Sequence, residues 1–481
     1  MYEAKHASRL IAKNTAIQII GRILFLGLSL INFKLIAVYL GPKLFGDWGN
    51  VFNYTALFTV LADFGLFTVA VREIAKTPKK RQVIMENVLS LRLVLAIAAS
   101  IAAFGLAAII AATAPQTSYA PILPAIGVGV LSMLIYFMSN MLDVVFHVEL
   151  KMYFVAVVEL IGKIMAVVVT GLAVWLDWGF MWVVGSVAIG NLAGMVARLI
   201  YAKRFFKVRL RFDVKMWGWL LRMAIPLGVV FTLNNIYFKI DSVMLYIMNG
   251  SFDTGIYTAA YRVLETTIFA SAFFVQALTP YLSSYLNSKN MHAQAVKLIR
   301  VGTEVLYAMG GILAVSLIFY AREVILLLSG PEYLAATVPL VMLAFAGACL
   351  YVNSLFGQVL VLLDRRRLLL SVSAATLAVN IALNLVLIPQ FGFTGAAAAT
   401  LLSEGMLLAG NFIIMRINSL LTFSKRSMTI ITAGLVIVIA LYSTAHSWPI
   451  PWFVTFFAVP TLYFLLLWRQ RVIPLEVILK R

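Results

Sequence analysis

The chain has 481 residues, of which 63% are hydrophobic and only 12% are charged. A soluble globular domain has an apolar share of about 45–50%, so this composition excludes an ordinary soluble protein. The formal net charge of +19 would suggest a nucleic-acid partner in a soluble chain. Here the basic residues lie mostly between apolar runs, where they act as signals of membrane topology. We therefore expect a multi-pass membrane protein that does not bind nucleic acid.

Apolar segments recur along the whole chain and are separated by glycine, proline and clusters of charge. Each has about 20 to 30 residues, enough to cross the roughly 30 Å hydrocarbon core of a bilayer as a helix. The first follows Lys5, Arg9 and Lys13, but it is too long for a signal peptide. The pattern predicts an all-α integral membrane protein with fourteen transmembrane helices.

Basic residues of the connecting loops alternate between the two sides of the membrane. One set of loops collects 29 of the 38 Lys and Arg residues, whereas only Lys43 and Arg322 fall in the opposite set. Because basic loops remain in the cytoplasm, this bias predicts that both termini are cytoplasmic, in the cell (cytoplasmic or inner) membrane. The external loops are short and offer no domain that could hold an active site, so we do not expect an enzyme.

An internal repeat relates helices 1–6 to helices 7–12. Gly46 aligns with Gly255 at an offset of 209 residues, and Gly179 aligns with Gly392 at an offset of 213. Six crossings return the chain to its starting side, so the two halves have the same orientation about an axis along the membrane normal. We predict an N-terminal lobe at 1–204, a C-terminal lobe at 205–420 and an appended helical hairpin at 421–481. Two facing lobes enclose a cleft, as in transporters that rock one lobe against the other.

Predicted helix 1 carries a polar stripe that includes Gln18 and Arg22, four residues apart. Such a stripe faces protein or water rather than lipid. Arg22, Asp63 on helix 2 and Arg92 on helix 3 come out at a similar depth, about 13 Å from the cytoplasmic end. We expect these three side chains to form one layer, because charges inside a membrane are costly and pair. A buried ion pair that only locks helices 1–3 is an equally good interpretation, although the second arginine favours an anionic ligand.

Predicted helix 7 is also too polar to face lipid. Pro226 near its start removes a backbone hydrogen bond and predicts a kink. Asn235 and Lys239 follow on one stripe, with Asp241 about 100° away around the helix. Because Lys239 and Asp241 point to different sides, we do not expect them to pair with each other.

Two further helices carry charges at spacings that favour pairing within the helix. Helix 5 has Glu159 four residues before Lys163, and helix 8 has Arg262 three residues before Glu265. Pairs at these spacings are neighbours on a helix surface. Tyr261 precedes Arg262 and adds an aromatic hydroxyl to the same stretch.

Within the predicted spans the cations exceed the acids by two. The cations are Arg22, Lys34, Arg92, Lys163, Arg222, Lys239 and Arg262, and the acids are Asp63, Glu159, Asp241, Glu265 and Glu404. Asp143, Glu149 and Glu304 are assigned to the cytoplasmic interface and left out of this sum. A modestly positive cleft suits a phosphate-rich anion with a polyhydroxyl body.

The sequence contains no P-loop motif, only four histidines and a single cysteine, Cys349. A nucleotide site, a disulfide and a metal centre are therefore not expected, and we predict no cofactor. Energy for transport would come from an ion gradient, from the membrane potential or from consumption of the substrate.

Three short motifs occur in order along the chain. They are Ala62-Asp63-Phe64-Gly65-Leu66 followed by Arg72-Glu73-Ile74-Ala75, Pro226-Leu227 followed by Asp241 and Gly255-Ile256-Tyr257, and Asn384 to Ala396 followed by Glu404. Together with the repeat they resemble the polysaccharide transporter family, the Wzx-like oligosaccharide flippases of the multidrug/oligosaccharidyl-lipid/polysaccharide (MOP) exporter superfamily. The likeness covers about residues 8–420. Many members have twelve spans, so the additional hairpin is a departure from the family pattern.

The resemblance implies that a polyprenyl-diphosphate-linked oligosaccharide is moved from the cytoplasmic to the outer face, where a separate polymerase or ligase uses it. Membrane lipids and a coupling ion, H⁺ or Na⁺, are the other expected partners. On this interpretation the residues assigned to substrate contact in the cavity are Gln18, Arg22, Arg92, Asn235, Lys239, Tyr261 and Arg262. Those assigned to ion coupling or to locking the lobes are Asp63, Asp241 and Glu404, and Pro226 is the hinge.

Two alternatives remain open. A cation-coupled multidrug exporter of the same superfamily would have the same architecture, with a cavity dominated by carboxylates and with Arg22, Arg92 and Lys239 neutralised or turned away. A membrane polysaccharide polymerase or ligase would need a sizeable external loop with catalytic groups, which this sequence does not provide.

Overall fold

A computed structural model describes residues 2–113, 119–149, 151–207, 209–288, 290–445, 450–470 and 472. Side chains of residues 2–19, 62, 78, 227, 230 and 366 are not part of this description. The described ranges contain helices, turns and loops but no β-strand, which confirms the all-α class.

The helices follow one another in chain order with short connections. They are α1 (Tyr2–Asp63), α2 (Leu66–Lys76), α3 (Arg81–Thr113), α4 (Tyr119–Met141), α5 (Asp143–Val148), α6 (Tyr153–Trp175), α7 (Phe180–Ala202), α8 (Val214–Asn249), α9 (Ser251–Leu286), α10 (His292–Leu328), α11 (Thr337–Leu362), α12 (Arg366–Ile417), α13 (Lys425–Ala445) and α14 (Trp452–Arg469). In the described part of the chain, 11 helical segments are long and apolar enough to cross a membrane, or up to 12 if one bent pair is a single span. The protein is therefore a multi-pass membrane protein.

Two of these segments are more than twice as long as a single crossing requires. Ile20–Lys76 has 57 residues and Arg367–Ile417 has 51, whereas about 20 residues cross the hydrocarbon core. Helices α1 and α12, which form most of these segments, each contain one glycine with a non-helical backbone: Gly41 with φ 64° and ψ 172°, and Gly392 with φ 54° and ψ −131°. The count of fourteen spans stays a prediction, which depends on each long segment making two crossings and on the bent pair in α8 being one span.

The backbone at these breaks follows the offsets of the internal repeat. Gly250, 209 residues after Gly41, has φ 87° and ψ −169°, and Gly179, the counterpart of Gly392, has φ 84° and ψ −177°. This region of backbone space is open essentially to glycine alone. A glycine at each position thus lets the chain end one helix and begin the next within a very short turn.

The chain forms two compact units, Met1–Gly255 and Ile256–Arg481. In the first unit α6 packs along α7, α4 contacts both α3 and α7, and α1 contacts α3, α4, α6 and α8. In the second unit α11 packs against α10 and α12, while α13 and α14 pack on α10. Helix α8 thus belongs to the first unit by its contacts. The lobes at 1–204 and 205–420 were predicted from the internal repeat, and they stay a prediction.

The C-terminal hairpin is attached to α10 through buried hydroxyl groups. The hydroxyls of Tyr442 and Ser316 lie 3.0 Å apart, and those of Tyr320 and Thr455 lie 2.7 Å apart. A buried hydroxyl without a partner would cost free energy, so these bonds favour one position of the hairpin along α10.

Helix α1 and the first turn of α9 approach each other so closely that only glycine fits between them. A methyl group added at Gly46 would overlap the carbonyl oxygen of Ser251, and one added at Gly255 would overlap the carbonyl oxygen of Pro42. Ser251 lies 209 residues after Pro42, the same offset that relates Gly255 to Gly46. The two halves of the repeat therefore make this contact reciprocally.

We predict that Gly46→Ala lowers the free energy of unfolding by about 1–3 kcal/mol, because the new methyl group forces two backbones apart. Denaturant unfolding in detergent micelles, followed by tryptophan fluorescence, measures this loss. The matched control is Gly27→Ala in the same helix, where no heavy atom lies within 4 Å of the added carbon. It should be neutral or stabilising, by up to about 1 kcal/mol. Equal destabilisation by both substitutions would show that the close approach is unimportant.

Candidate functional site

The first unit contains a cavity of about 370 Å³. Its wall is formed by Asp63, Phe67, Thr68, Arg92, Asn140, Asp143, His147, Val155, Glu159 and Phe231. Half of these side chains are ionisable, although the helices that carry them are membrane spans. Ionisable groups within a membrane are costly and mark functional sites, so this cavity is the candidate ligand site.

Asp63 is placed in the wall by a sharp break at the end of α1. The next residue, Phe64, has φ 39°, and Gly65 has φ 77°. A positive φ is strained for a bulky residue. Helix α8 packs directly on this strained turn: a carbon added at Gly228 would lie 2.6 Å from Phe64 Cδ1 and 2.8 Å from its carbonyl oxygen.

The same part of α8 is bent. Its two portions, Val214–Pro226 and Phe231–Asn249, meet at an angle of 62°, where the sequence predicts a kink at Pro226. Proline removes one hydrogen bond of the helix, and Gly228 allows the bent segment to approach the backbone of Phe64. The role of Pro226 as a moving hinge stays a prediction.

Arg92 is the cation of the cavity wall and is only 3% exposed. Its Nη2 lies 3.3 Å from Asp63 Oδ1, and its Nη1 donates a weak hydrogen bond of 3.1 Å to Met141 Sδ. The guanidinium carbon lies 5.3 Å from the centre of the Phe137 ring. The Arg92 Nε–H group is buried and has no hydrogen-bond partner. This guanidinium therefore has an N–H donor that no protein acceptor uses.

A second buried arginine supports the cavity wall from behind. Arg198 on α7 donates from Nε to Asp143 Oδ1 at 2.8 Å and from Nη1 to Ser139 Oγ at 3.1 Å. The two charged side chains are 7% and 9% exposed. The charge sum made from the sequence left out Asp143 as a residue of the cytoplasmic interface. Asp143 lines the cavity, so it belongs in that sum.

The predicted layer of Arg22, Asp63 and Arg92 forms in part. Asp63 and Arg92 pair, whereas Arg22 Nη1 lies 3.9 Å from Glu159 Oε2 on α6. Glu159, which the spacing alone would pair with Lys163, lines the same cavity. Arg22 is thus adjacent to the cavity through its acidic neighbour rather than through Asp63.

Other predicted residues of the first unit lie away from this cavity wall. Asn235 Nδ2 donates to Thr59 Oγ1 at 3.1 Å, which joins α8 to α1. Asp241 is buried and Lys239 is half-buried on the same helix. Gln18 lies outside the described side chains.

In the second unit, Arg262 and Glu265 form the predicted pair, with Nη1 and Oε2 2.9 Å apart. This neutralisation weakens Arg262 as an anion ligand. Glu404 is 1% exposed, and its Oε2 accepts a hydrogen bond of 3.1 Å from Asn353 Nδ2. Tyr261, which precedes Arg262 in the sequence, is half-buried.

Most residues of the wall were not predicted as site residues, and three of them, Asn140, Asp143 and His147, are close together in the sequence. Their spacing of three and four residues places them on one helical face, and this signal could have identified them. Throughout the described ranges, no group of three or more His, Cys, Asp or Glu side chains is arranged to hold a metal ion.

We predict that Asp143→Ala lowers the free energy of unfolding by about 3–5 kcal/mol, because it leaves the Arg198 charge buried without a partner. The control is Glu265→Ala, which breaks a pair whose side chains are 39% and 26% exposed. It should cost less than about 1 kcal/mol. Denaturant unfolding in the same detergent compares the two. Similar small losses would mean that water reaches Arg198.

Comparison with solved structures identifies the fold. The chain is similar to the lipid II flippase MurJ in an inward closed conformation, with a TM-score of 0.77 at 14% identity over 96% of this chain and 99% of that one. An inward-facing multidrug resistance MATE transporter of the MOP superfamily gives 0.69 at 13% identity, over 82% and 95% of the two chains. A MOP superfamily transporter from Pyrococcus furiosus is described as having a binding pocket of reverse polarity. Its TM-score is 0.60 at 16% sequence identity, over 85% of this chain and 96% of that one. The chain therefore has the fold of MOP superfamily transporters.

The particular family follows from the sequence match. Residues 11–286, more than half of the chain, match the family described as polysaccharide biosynthesis protein. The chain belongs to this family, which confirms the predicted relationship to the polysaccharide transporters. A probable low-salt glycan biosynthesis flippase, Agl15 of Haloferax volcanii, is 28% identical over 172 residues. That match spans 35% of this chain and 35% of the relative.

Proposed function

We propose that this protein is a flippase that moves a polyprenyl-diphosphate-linked oligosaccharide from the cytoplasmic to the outer face of the cell membrane. The observation that carries the proposal is Arg92, a buried guanidinium in a cavity wall with a donor that lacks a partner. Membership of a polysaccharide biosynthesis family and the partial match to a glycan flippase support the substrate class.

A diphosphate fits the chemistry of Arg92 better than a neutral sugar does. Arginine presents several N–H donors in a planar fork, and its hydrogen bonds to phosphate oxygens are charge-assisted. The ion pair between Arg92 Nη2 and Asp63 Oδ1, at 3.3 Å, is longer than the 2.7–2.9 Å of a charge-assisted hydrogen bond, and Asp63 Oδ1 accepts no hydrogen bond from it. Phosphate oxygens could therefore displace Asp63 at little cost, while Asn140 and Thr68 in the same wall offer polar groups to the sugar.

Transport would proceed by alternating access of the two predicted lobes, 1–204 and 205–420. In this scheme each long segment, broken at Gly41 or Gly392, makes two crossings, so the chain has fourteen spans with both termini in the cytoplasm. The lipid tail stays in the bilayer while the polar head crosses. Pro226 is the hinge, and the hairpin at 421–481 is an addition to the two lobes.

The remaining assignments complete this scheme. Arg22 contributes to the inward-open cavity, with Gln18 on the same stripe. Asn235, Lys239, Tyr261 and Arg262 contact substrate in the outward-open state. Asp63, Asp241 and Glu404 serve in coupling to H⁺ or Na⁺ or in locking the lobes, and a glycan polymerase or ligase receives the product.

A cation-coupled multidrug exporter is the second candidate, because a MATE transporter has a similar fold. The observation that favours it is the presence of Asp63, Asp143 and Glu159 in one wall. The Asp63 and Glu159 side chains are 31% and 37% exposed and would attract an organic cation, whereas Arg92, at 4%, would repel that cation and attract the anion of a flippase substrate.

We predict that Arg92→Gln reduces turnover of a lipid-linked oligosaccharide in proteoliposomes roughly 10- to 100-fold, the loss expected from one charge-assisted bond. The control is Lys34→Gln, which removes an exposed cation from α1 and should leave turnover unchanged. Both variants are checked for an unaltered melting temperature. Full turnover by a folded Arg92→Gln protein would overturn the proposal. Retained efflux of an organic cation together with loss in Asp63→Asn would favour the drug exporter.

A further inference from the structure

The fixed charges around the cavity nearly cancel. The wall carries three carboxylates and one guanidinium. Two further arginines each form an ion pair with one of those carboxylates. The acids are Asp63, Asp143 and Glu159, and the cations are Arg92 in the wall, Arg198 at 2.8 Å from Asp143 and Arg22 at 3.9 Å from Glu159. These six residues carry three charges of each sign, and Lys163 on α6, whose Nζ lies 5.5 Å from the centre of the Phe25 ring, adds one further cation. The fixed charges around the site therefore have a surplus of at most one positive charge for an entering anion.

A diphosphate brings at least two negative charges into the site, more than this surplus neutralises. In a medium of low dielectric, uncompensated charge is expensive, and proteins avoid it by changing the protonation of a nearby group. Arginines cannot supply this change because they are always protonated. Histidine is the side chain that gains or loses a proton most readily near neutral pH.

His147 occupies the required position. It is half-buried in the cavity wall, its ring lies edge-on to Phe67 with 5.1 Å between centroids, and Asp143 is one helical turn away on α5. The proposed transport scheme does not use its imidazole.

Helices α2, α4, α6 and α7 pack against α5, and α1 and α3 contribute further residues to the cavity wall. The charged residues at or beside the cavity come from five helices. They are Asp63 and Arg22 from α1, Arg92 from α3, Asp143 from α5 itself, Glu159 and Lys163 from α6, and Arg198 from α7. Helix α4 carries no charged residue between Tyr119 and Met141. On α2, Glu73 lies 3.0 Å from Arg72 and 3.3 Å from Lys76, so these charges largely neutralise one another.

We infer that His147 takes up a proton when a diphosphate enters the cavity, so that its imidazolium completes the positive charge that Arg92 supplies only in part. The proton comes from cytoplasmic water and forms one new N–H bond on the ring. It is released when the ligand leaves. The inference rests on the proposed function. It couples the movement of the ligand to the movement of one proton, which His147 carries.

The test measures binding of geranylgeranyl diphosphate to the purified full-length protein between pH 6 and pH 8. Calorimetry in buffers with different ionisation enthalpies gives the number of protons taken up per ligand. The ligand's own ionisation is the same for every variant, so differences between variants report the protein. Compared with wild type, His147→Gln should take up about one proton fewer. In wild type, the linked proton should weaken the affinity by up to about 10-fold for each unit by which the pH is raised. The affinity of His147→Gln should lack this part of the pH dependence.

A second variant keeps the inference open to refutation if His147→Gln is poorly folded. His147→Lys carries a permanent charge and should bind tightly without the additional proton. Proton uptake equal to that of wild type in either folded variant would overturn the inference. The proposed function would still stand if Arg92→Gln abolished binding in the same assay. Absence of binding by wild type at every pH would overturn both.

Discussion

Because the hydrocarbon core offers no water, every charge within the first unit must find its partner in the protein. Arg92 on α3 and Arg198 on α7 are both buried, and each takes a carboxylate from a different helix. Asp63 at the end of α1 and Asp143 at the start of α5 supply these carboxylates. Four helices are thereby held around one cavity, and the position of the wall follows from the pairing of charges rather than from apolar packing alone.

Much of this arrangement could be predicted from the sequence, because it depends on regular geometry. A constant rise per residue places Asp63 and Arg92 at the same depth, and they pair. The offset of 209 residues correctly relates Gly41 to Gly250, which share an unusual backbone conformation. Arg198 and Asp143 were misassigned for a related reason. They lie near helix ends, where a rule based on loop charge cannot distinguish a cytoplasmic base from a buried one.

Packing between helices is the part that the sequence pattern could not supply. A repeat establishes which segments are equivalent, but it does not establish which ones contact each other. Helix α8 is equivalent to the first span of the chain, yet it packs with α1 because Gly228 admits the backbone of Phe64 and because Asn235 reaches Thr59. These contacts require particular small or polar residues facing one another, and neither hydropathy nor spacing reveals a facing residue on another helix.

The fold is shared by proteins that carry different cargo, so the chemistry of the cavity must decide between them. The fixed charges around the site nearly cancel, so by themselves they favour neither an anion nor a cation strongly. The two candidates differ in which groups must change protonation: carboxylates would have to be ionised and exposed for a cation, whereas His147 would have to be charged for an anion. Arg92 cannot lose its proton, and its side chain forms part of the wall that a ligand would contact. A permanent donor in that position raises the cost of every cation and lowers the cost of a phosphate, and this asymmetry favours the lipid-linked glycan.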